Sequence, residues 1–244
     1  MNKYTSIILR TALVAGLCIL LGVAAGIGRS RQRDEKCQRL VCRIVDADER
    51  EYVDEAELVA LLKRHNAYPV GEYLHRVNLQ QMENLVREHP MVRTAECYTS
   101  EDGSVRLRIT QRVPLLKVIT ANEAYFVDTD RKRMPVREEV RDTVLCATGK
   151  VGEHTAMGQI ADLAEWLQKD DYWRKRIAAV EVQNPQHILL RQRNRGETII
   201  LGEWNGYEHK LHNAKCFYLQ TQCIDKPHYT ALDLRFRSQV VGIK

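Results

Sequence analysis

Val105-Arg106-Leu107-Arg108-Ile109-Thr110 alternates apolar and polar residues without a break. Successive side chains of a strand point to opposite faces, so this run reads as a strand with one buried face and one basic face. Immediately upstream, Asp102-Gly103 supplies a hairpin turn, and Val92 to Tyr98 is the extended partner across it. Two helix patterns precede that hairpin. Asn78, with Gln81 at the capping-box offset, opens a helix carrying Leu79, Met82, Leu85 and Val86 on one face. Pro90 stops it at His89, because the residue before a proline disfavours helical geometry. Asp54 and Glu57 open the earlier helix, where Leu58, Leu61 and Leu62 recur at helical spacing, and Pro69-Val70-Gly71 turns between the two. Leu40 to Val45 reads as one more strand. Strand, helix, helix, strand, strand places two amphipathic helices over one face of a small sheet, a complete α+β unit.

Beyond Pro114 the pattern changes to many short strands: Leu116 to Thr120, Tyr125 to Asp128, Ile177 to Val182, Ile188 to Gln192 and Thr198 to Leu201. Turn signals separate them at Asn122-Glu123, Asn184-Pro185 and Arg195-Gly196. Two helices interrupt the strands, one marked by Met157, Ile160, Leu163, Ala164 and Leu167, the other by Tyr207, Leu211, Ala214 and Tyr218. In the last strand, Tyr229 to Phe236, Thr230, Leu232, Leu234 and Phe236 alternate with Ala231, Asp233 and Arg235. This half reads as a mostly antiparallel β-domain with two helices. The expected division is a first domain over 41–114 and a second over 115–244, preceded by a polar linker over 29–40. There is no internal repeat and no low-complexity tract.

The N-terminal part differs from both domains. Thr11 to Gly28 holds no charged residue and is rich in Ala, Leu, Val, Ile and Gly. As a helix these positions rise about 27 Å, close to the thickness of a hydrocarbon core, so a single transmembrane helix over 11–28 is expected. Arg10, Lys3 and Tyr4 suit the head-group region. Gly22 and Gly26 form a spacing that would let another helix approach closely. A cleaved signal peptide ending at Val23-Ala24-Ala25 is the alternative. The flanking charges, Lys3 and Arg10 against Arg29, Arg31, Arg33 and Lys36, weigh slightly toward a cytoplasmic C-terminal part.

Composition narrows the function. Of 244 residues 44% are hydrophobic and 28% charged, ordinary globular values that argue against wholesale disorder. The net charge of +5 is scattered and only 7% of residues are aromatic, which speaks against a nucleic-acid face. Nucleophile-elbow, zincin, phosphate-loop and dinucleotide-loop motifs are all missing. The best metal-type constellation is His209, His212 and Cys216 on one predicted helix face, with Cys223 nearby, though that face must also cover the sheet. Seven cysteines include Cys18 in the apolar span. Cys42 and Cys97 lie on strands of one small domain and are candidate neighbours, and the absence of a Cys-x-x-Cys motif leaves a redox function unsupported.

The order of elements and several local phrases resemble the FtsQ/DivIB family of bacterial division proteins along essentially the whole chain. Glu88-His89-Pro90-Met91-Val92 followed by Ala95 resembles the family's helix end and strand entry. Gln111-Arg112-Val113-Pro114 resembles its domain-boundary signature, with Gln111 where glutamate is usual. Phe126-Val127-Asp128 resembles its "V-D-x-x-G", with Arg131 where glycine is favoured, and Leu201-Gly202-Glu203 with Lys210-Leu211 resembles its late strand and helix. Leu232-Asp233-Leu234-Arg235-Phe236 with Gln239-Val240-Val241 resembles its terminal strand.

The resemblance implies a POTRA domain followed by a β-domain, both in the periplasm, and a non-catalytic scaffold without cofactor or metal. It also implies an N-terminus in the cytoplasm, against the charge count, so that residues 1–10 become a cytoplasmic tail and the protein sits in the inner membrane at the division septum. Its implied partners are FtsL-like and FtsB/DivIC-like bitopic proteins and membrane lipid, with no nucleic acid and no small-molecule substrate. One partner would extend the sheet at its last strand, with Arg235, Phe236 and Ser238 as partner-binding residues: Phe236 the apolar anchor, Arg235 the donor to a partner carboxylate. Read from alternation alone, Leu232, Leu234 and Phe236 share one face, and such a face is commonly core. Two other readings stand beside the scaffold, an outer-membrane biogenesis docking protein built on a POTRA unit and a secreted enzyme released after Ala25.

Overall fold

A parallel strand pair needs a crossover long enough to return the chain to the same end of the sheet, and helices usually supply it. In the computed structural model, which describes residues 15–20, 35–47, 52–137, 140, 144–193, 196–220, 229–236 and 239–244, the first such crossover is the helical pair expected from the sequence. Strand β1 (Arg39–Ile44) is followed by helices α1 (Glu55–Arg64) and α2 (Leu79–Arg87), then by the hairpin β2 (Val92–Thr99) and β3 (Ser104–Gln111). The sheet order is β1-β3-β2, with β1 parallel and β2 antiparallel to β3. Asp54 caps α1 by accepting from the N–H of Ala56 at 3.0 Å, and Asn78 caps α2 by accepting from the N–H of Gln81 at 3.0 Å. Leu58, Leu62, Met82 and Val86 of the helices and Val105, Leu107 and Ile109 of β3 are all fully buried. Each such side chain contributes about 1.5–3 kcal/mol of transfer free energy.

Gln111 ends β3 with a buried amide. Its Oε1 accepts from the backbone N–H groups of Tyr52 at 2.8 Å and Val53 at 3.0 Å, fixing the segment that leads into α1. A neutral amide serves that purpose, so the glutamine needs no ion pair at this position. Chain contacts divide here, between Gln111 and Arg112, into two compact units.

The second unit holds strands β4 (Pro114–Ile119), β5 (Ala124–Asp128), β6 (Arg133–Pro135), β7 (Leu145–Gly149), β8 (Ile177–Asn184), β9 (His187–Gln192), β10 (Thr198–Gly202), β11 (Ala231–Asp233) and β12 (Val241–Ile243). Among the described residues they form one sheet in the order β12-β11-β10-β9-β8-β7-β4-β5-β6. The joints β4–β7, β7–β8 and β10–β11 are parallel and the others antiparallel. The helices that accompany the sheet among the described residues are α3 (Ala161–Lys169), entered through a helical turn at Glu153–Thr155 and a π-helical turn at Ala156–Ile160, the short α4 (Asp171–Arg174), and α5 (Tyr207–Gln220). Ile160, Leu163, Ala164 and Leu167 from the α3 region, Trp173 from α4, and Leu211, Ala214 and Tyr218 from α5 pack on the inner sheet face, where Leu116, Val118, Val180, Leu190, Ile199 and Leu232 are buried.

The sequence expectation is corrected in three places. No helix among the described residues is long and apolar enough to cross a membrane, so the transmembrane helix expected over 11–28 is not found. Residues 15–20 are helical, while 1–14 and 21–34, with the tail and the Gly22–Gly26 pair among them, lie outside the described residues. The run from Tyr229 to Phe236 is not one strand: β11 is confined to Ala231–Asp233, and the separate strand β12 follows it. Cys42 and Cys97 are not adjacent, because both face Leu107 from opposite sides of β3. Two strand spacings put them about 10 Å apart, beyond the reach of a disulfide. Burial raises both thiols to about 12, so each stays protonated and unreactive.

Candidate functional site

The outermost described strand at one end of the large sheet is β12. Its inner neighbour β11 pairs with it through Ala231↔Ile243, Leu232↔Gly242 and Asp233↔Val241, and no strand among the described residues lies on its other side. Because Leu232 points into the core, Gly242 shares that inner face, whereas Val241 and Ile243 lie on the opposite one at 38% and 39% exposure. An edge with exposed branched apolar side chains and unpaired backbone groups is the feature that another strand completes.

The edge is fixed from beneath. A Cβ on Gly242 would overlap the ring of Tyr229, so the absence of a side chain lets that ring lie against the strand. Tyr229 in turn meets Phe217 of α5 with ring centroids 6.1 Å apart. The N–H of Thr230 donates to the carbonyl of Ile243 at 2.8 Å.

Arg235 lies just beyond β11 and is bound to its own chain. Its Nη2 lies 2.6 Å from Oδ2 of Asp233, its Nε lies 3.0 and 3.1 Å from the two carboxylate oxygens, and its backbone N–H donates to Oδ1 at 3.0 Å. The Asp233 side chain is 5% exposed and that of Arg235 50%, so the guanidinium covers the carboxylate while keeping one side toward solvent. The stem of Arg235 crosses Gly202 at the end of β10, where φ is +76° and a Cβ would lie 2.6 Å from Cγ of Arg235. Glycine is required twice over there, by backbone conformation and by space. Lys210 of α5 secures the same corner by donating from Nζ to the carbonyls of Leu201 at 3.0 Å and Glu203 at 2.9 Å. This gives physical content to the Leu201-Gly202-Glu203 and Lys210 phrases, whose roles were not visible as spacing.

Hydrogen bonds from the Arg235 side chain, helped by its backbone N–H, hold the Asp233 carboxyl below the ordinary carboxylate range. A carboxylate with a depressed folded pKa stabilises the fold above its unfolded value, near 3.9, and loses that contribution as pH falls through the folded value. Discounted for the solvent reaching Arg235, the contribution is about 1 kcal/mol. Denaturant midpoints of wild type and Asp233→Asn are expected to differ at neutral pH and to converge below about pH 3.

Phe236 is 52% exposed. Alternation would place it in the core with Leu232 and Leu234, both buried, but the strand has ended and the chain bends at this residue. Arg235 and Phe236 therefore follow β11 and do not lie on a strand, and Ser238 lies outside the described residues. The sequence reading missed β12 itself, whose three residues with a central glycine give no alternation signal.

The metal-type set is not assembled. His209, His212 and Cys216 are exposed on α5, whose sheet-facing residues are Leu211, Ala214 and Tyr218. His209 Nε2 lies 3.3 Å from Nδ2 of Asn213, Cys216 Sγ lies 3.7 Å from Nε2 of His212, and Cys223 lies outside the described residues. Among the described residues no group of His, Cys, Asp and Glu could hold a metal ion.

Comparison with known proteins agrees with the division into two units. A family model described as FtsQ/DivIB, C-terminal related matches residues 113–243. A second, described as POTRA-like domain, matches residues 35–110. No curated protein matches the chain.

Proposed function

The chain belongs to the FtsQ/DivIB, C-terminal related family, whose members are generally non-enzymatic scaffolds of cell division, and on that premise we propose that it recruits partner proteins through the β11–β12 edge of its C-terminal unit. The partners are FtsL-like and FtsB/DivIC-like division proteins, and the place of action is the septal membrane, where the family's role lies. The scaffold acts without catalysis or cofactor. The observation that carries this reading is the edge of β12, with Val241 and Ile243 exposed and no strand among the described residues on its outer side.

A partner segment in extended form adds its backbone to β12, since main-chain pairing supplies affinity and side-chain contacts supply specificity. Phe236 gives the apolar contact, and a truncated aromatic anchor typically costs 2 kcal/mol or more of binding. Arg235 offers the guanidinium side not occupied by Asp233 to a partner carboxylate, and Ser238 belongs to the same segment.

The test is binding of the full chain to the FtsL-like and FtsB-like proteins of the same cell, measured by titration for wild type and Phe236→Ala. The variant is expected to unfold at the wild-type midpoint and to bind about 30-fold more weakly. Unchanged binding by a folded Phe236→Ala protein overturns the assignment of this edge. Failure of the wild-type chain to bind either protein overturns the choice of partners.

A further inference from the structure

The sheet of the first unit has a face that its helices leave uncovered. β3 directs Val105, Leu107 and Ile109 to the helices, which puts Arg106 and Arg108 on the opposite face. Register sets Val41 and Tyr98 on either side of Arg106, and Arg43 and Glu96 on either side of Arg108. Val41, Val45 and Tyr98 are 38%, 47% and 47% exposed. Together with Arg43, Arg106 and Arg108 they line a hollow of about 270 Å³. That lies just below the usual range of small-molecule sites, roughly 300–1,000 Å³, and leaves room for one large side chain.

The face is also cationic beyond its internal pairing. Asp102 stands 2.7 Å from Arg39 and 3.5 Å from Arg106, and Glu96 stands 4.0 Å from Arg108. Arg43 has no ion pair among the described residues, and it sits directly across from Arg108 in the ladder. Like charges in directly opposed positions destabilise a sheet. The fold therefore carries a repulsion on this face that a neutral residue would remove and that an anionic partner would relieve.

We infer that this face docks an acidic protein segment, with a leucine- or phenylalanine-sized side chain entering the hollow against Val41, Val45 and Tyr98 while flanking carboxylates take Arg43, Arg106 and Arg108. Guanidinium groups bind carboxylates through paired hydrogen bonds, and an apolar anchor ringed by such pairs makes a compact recognition unit. A protein segment fits better than a lipid surface, because the apolar side chains line a depression, whereas insertion into a bilayer needs apolar groups that project from the surface. This surface is on a different unit from the β12 edge and stands independently of it.

The experiment uses the full chain and three probes: a synthetic peptide alternating glutamate with leucine and phenylalanine, the same peptide with lysine for glutamate, and phosphatidylglycerol vesicles. Fluorescence anisotropy is expected to show binding of the glutamate peptide that weakens with salt, by about tenfold in Arg108→Glu, and several-fold in Tyr98→Ser. Arg43→Thr separates binding from folding, since it should bind the peptide more weakly yet melt at a higher temperature than wild type. The inference is overturned if the glutamate peptide does not bind, if the lysine peptide binds equally well, or if all three variants bind like wild type. Vesicle binding that Arg108→Glu abolishes, without peptide binding, would make the face a membrane contact instead.

Discussion

Asp128→Asn is expected to destabilise the second unit by about 3–5 kcal/mol, read as a shift of its denaturant midpoint. Asp128 ends β5 with 1% of its side chain exposed, and both carboxylate oxygens are occupied. Oδ2 lies 2.6 Å from Nη1 of Arg112, itself only 12% exposed, while Oδ1 accepts from the N–H groups of Asp130 at 2.9 Å and Lys132 at 2.6 Å. An amide of the same shape can satisfy one side only. If its oxygen keeps the two backbone donors, its NH₂ faces a guanidinium that has no acceptor of its own to offer. The buried cation is then left uncompensated, which is the costly way to break such a pair. The double variant Arg112→Met with Asp128→Leu removes both charges and should lose less than the sum of the two single changes. Additive losses would mean that the ion pair is not the unit of stability here.

Trp173→Ala should cost about 3–5 kcal/mol, whereas Trp173→Phe should cost far less. Trp173 is fully buried on α4, edge-on to Tyr172 with centroids 5.0 Å apart and to Tyr218 at 6.3 Å. Truncation to alanine leaves a cavity between α4, α5 and the sheet that the surrounding rigid elements cannot close. The indole N–H is buried with no hydrogen-bond partner among the described residues. Phenylalanine keeps most of the ring contact and removes that unsatisfied donor, so part of its volume loss is offset. Thermal unfolding of the three proteins checks the order, and a phenylalanine variant as unstable as the alanine variant would show that the lost volume outweighs the relieved donor.

Physical periodicity explains which parts of this fold were legible. β3 was readable because one face is buried and the other wet, so its pattern has the period of two that a half-buried strand imposes. The α1 and α2 starts were readable because Asp54 and Asn78 satisfy backbone donors that a helix must leave open. β7 was not, since Leu145-Cys146-Ala147-Thr148-Gly149 is a short parallel strand set between β4 and β8, and short buried strands of small residues lack alternation. Phe236 followed the alternating pattern and still lies exposed, because a pattern cannot tell where its strand stops. Arg131 is a subtler case. It stands where the family favours glycine, yet it adopts φ of 62° itself and is held by Asp162 at 2.9 Å and Glu165 at 2.8 Å. The turn is kept at a backbone cost of order 1 kcal/mol that these ion pairs help offset. Of the candidate site, the phrase ending in Arg235 and Phe236 runs directly out of β11, while the edge strand β12 was visible only in three dimensions.

From β7 to β12 the strands of the large sheet are neighbours in chain order. Each rung rests on the one laid down before it, and among the described residues no strand lies beyond the last. Such a sheet frays from its end like the loose end of a zipper: β12 can lift away while β8 and β9 keep their full pairing. Opening free energy should therefore climb strand by strand from the C-terminus inward. The edge proposed here for a partner is thus also the least committed portion of the sheet, and an added strand would stiffen the chain where its own cooperativity is weakest.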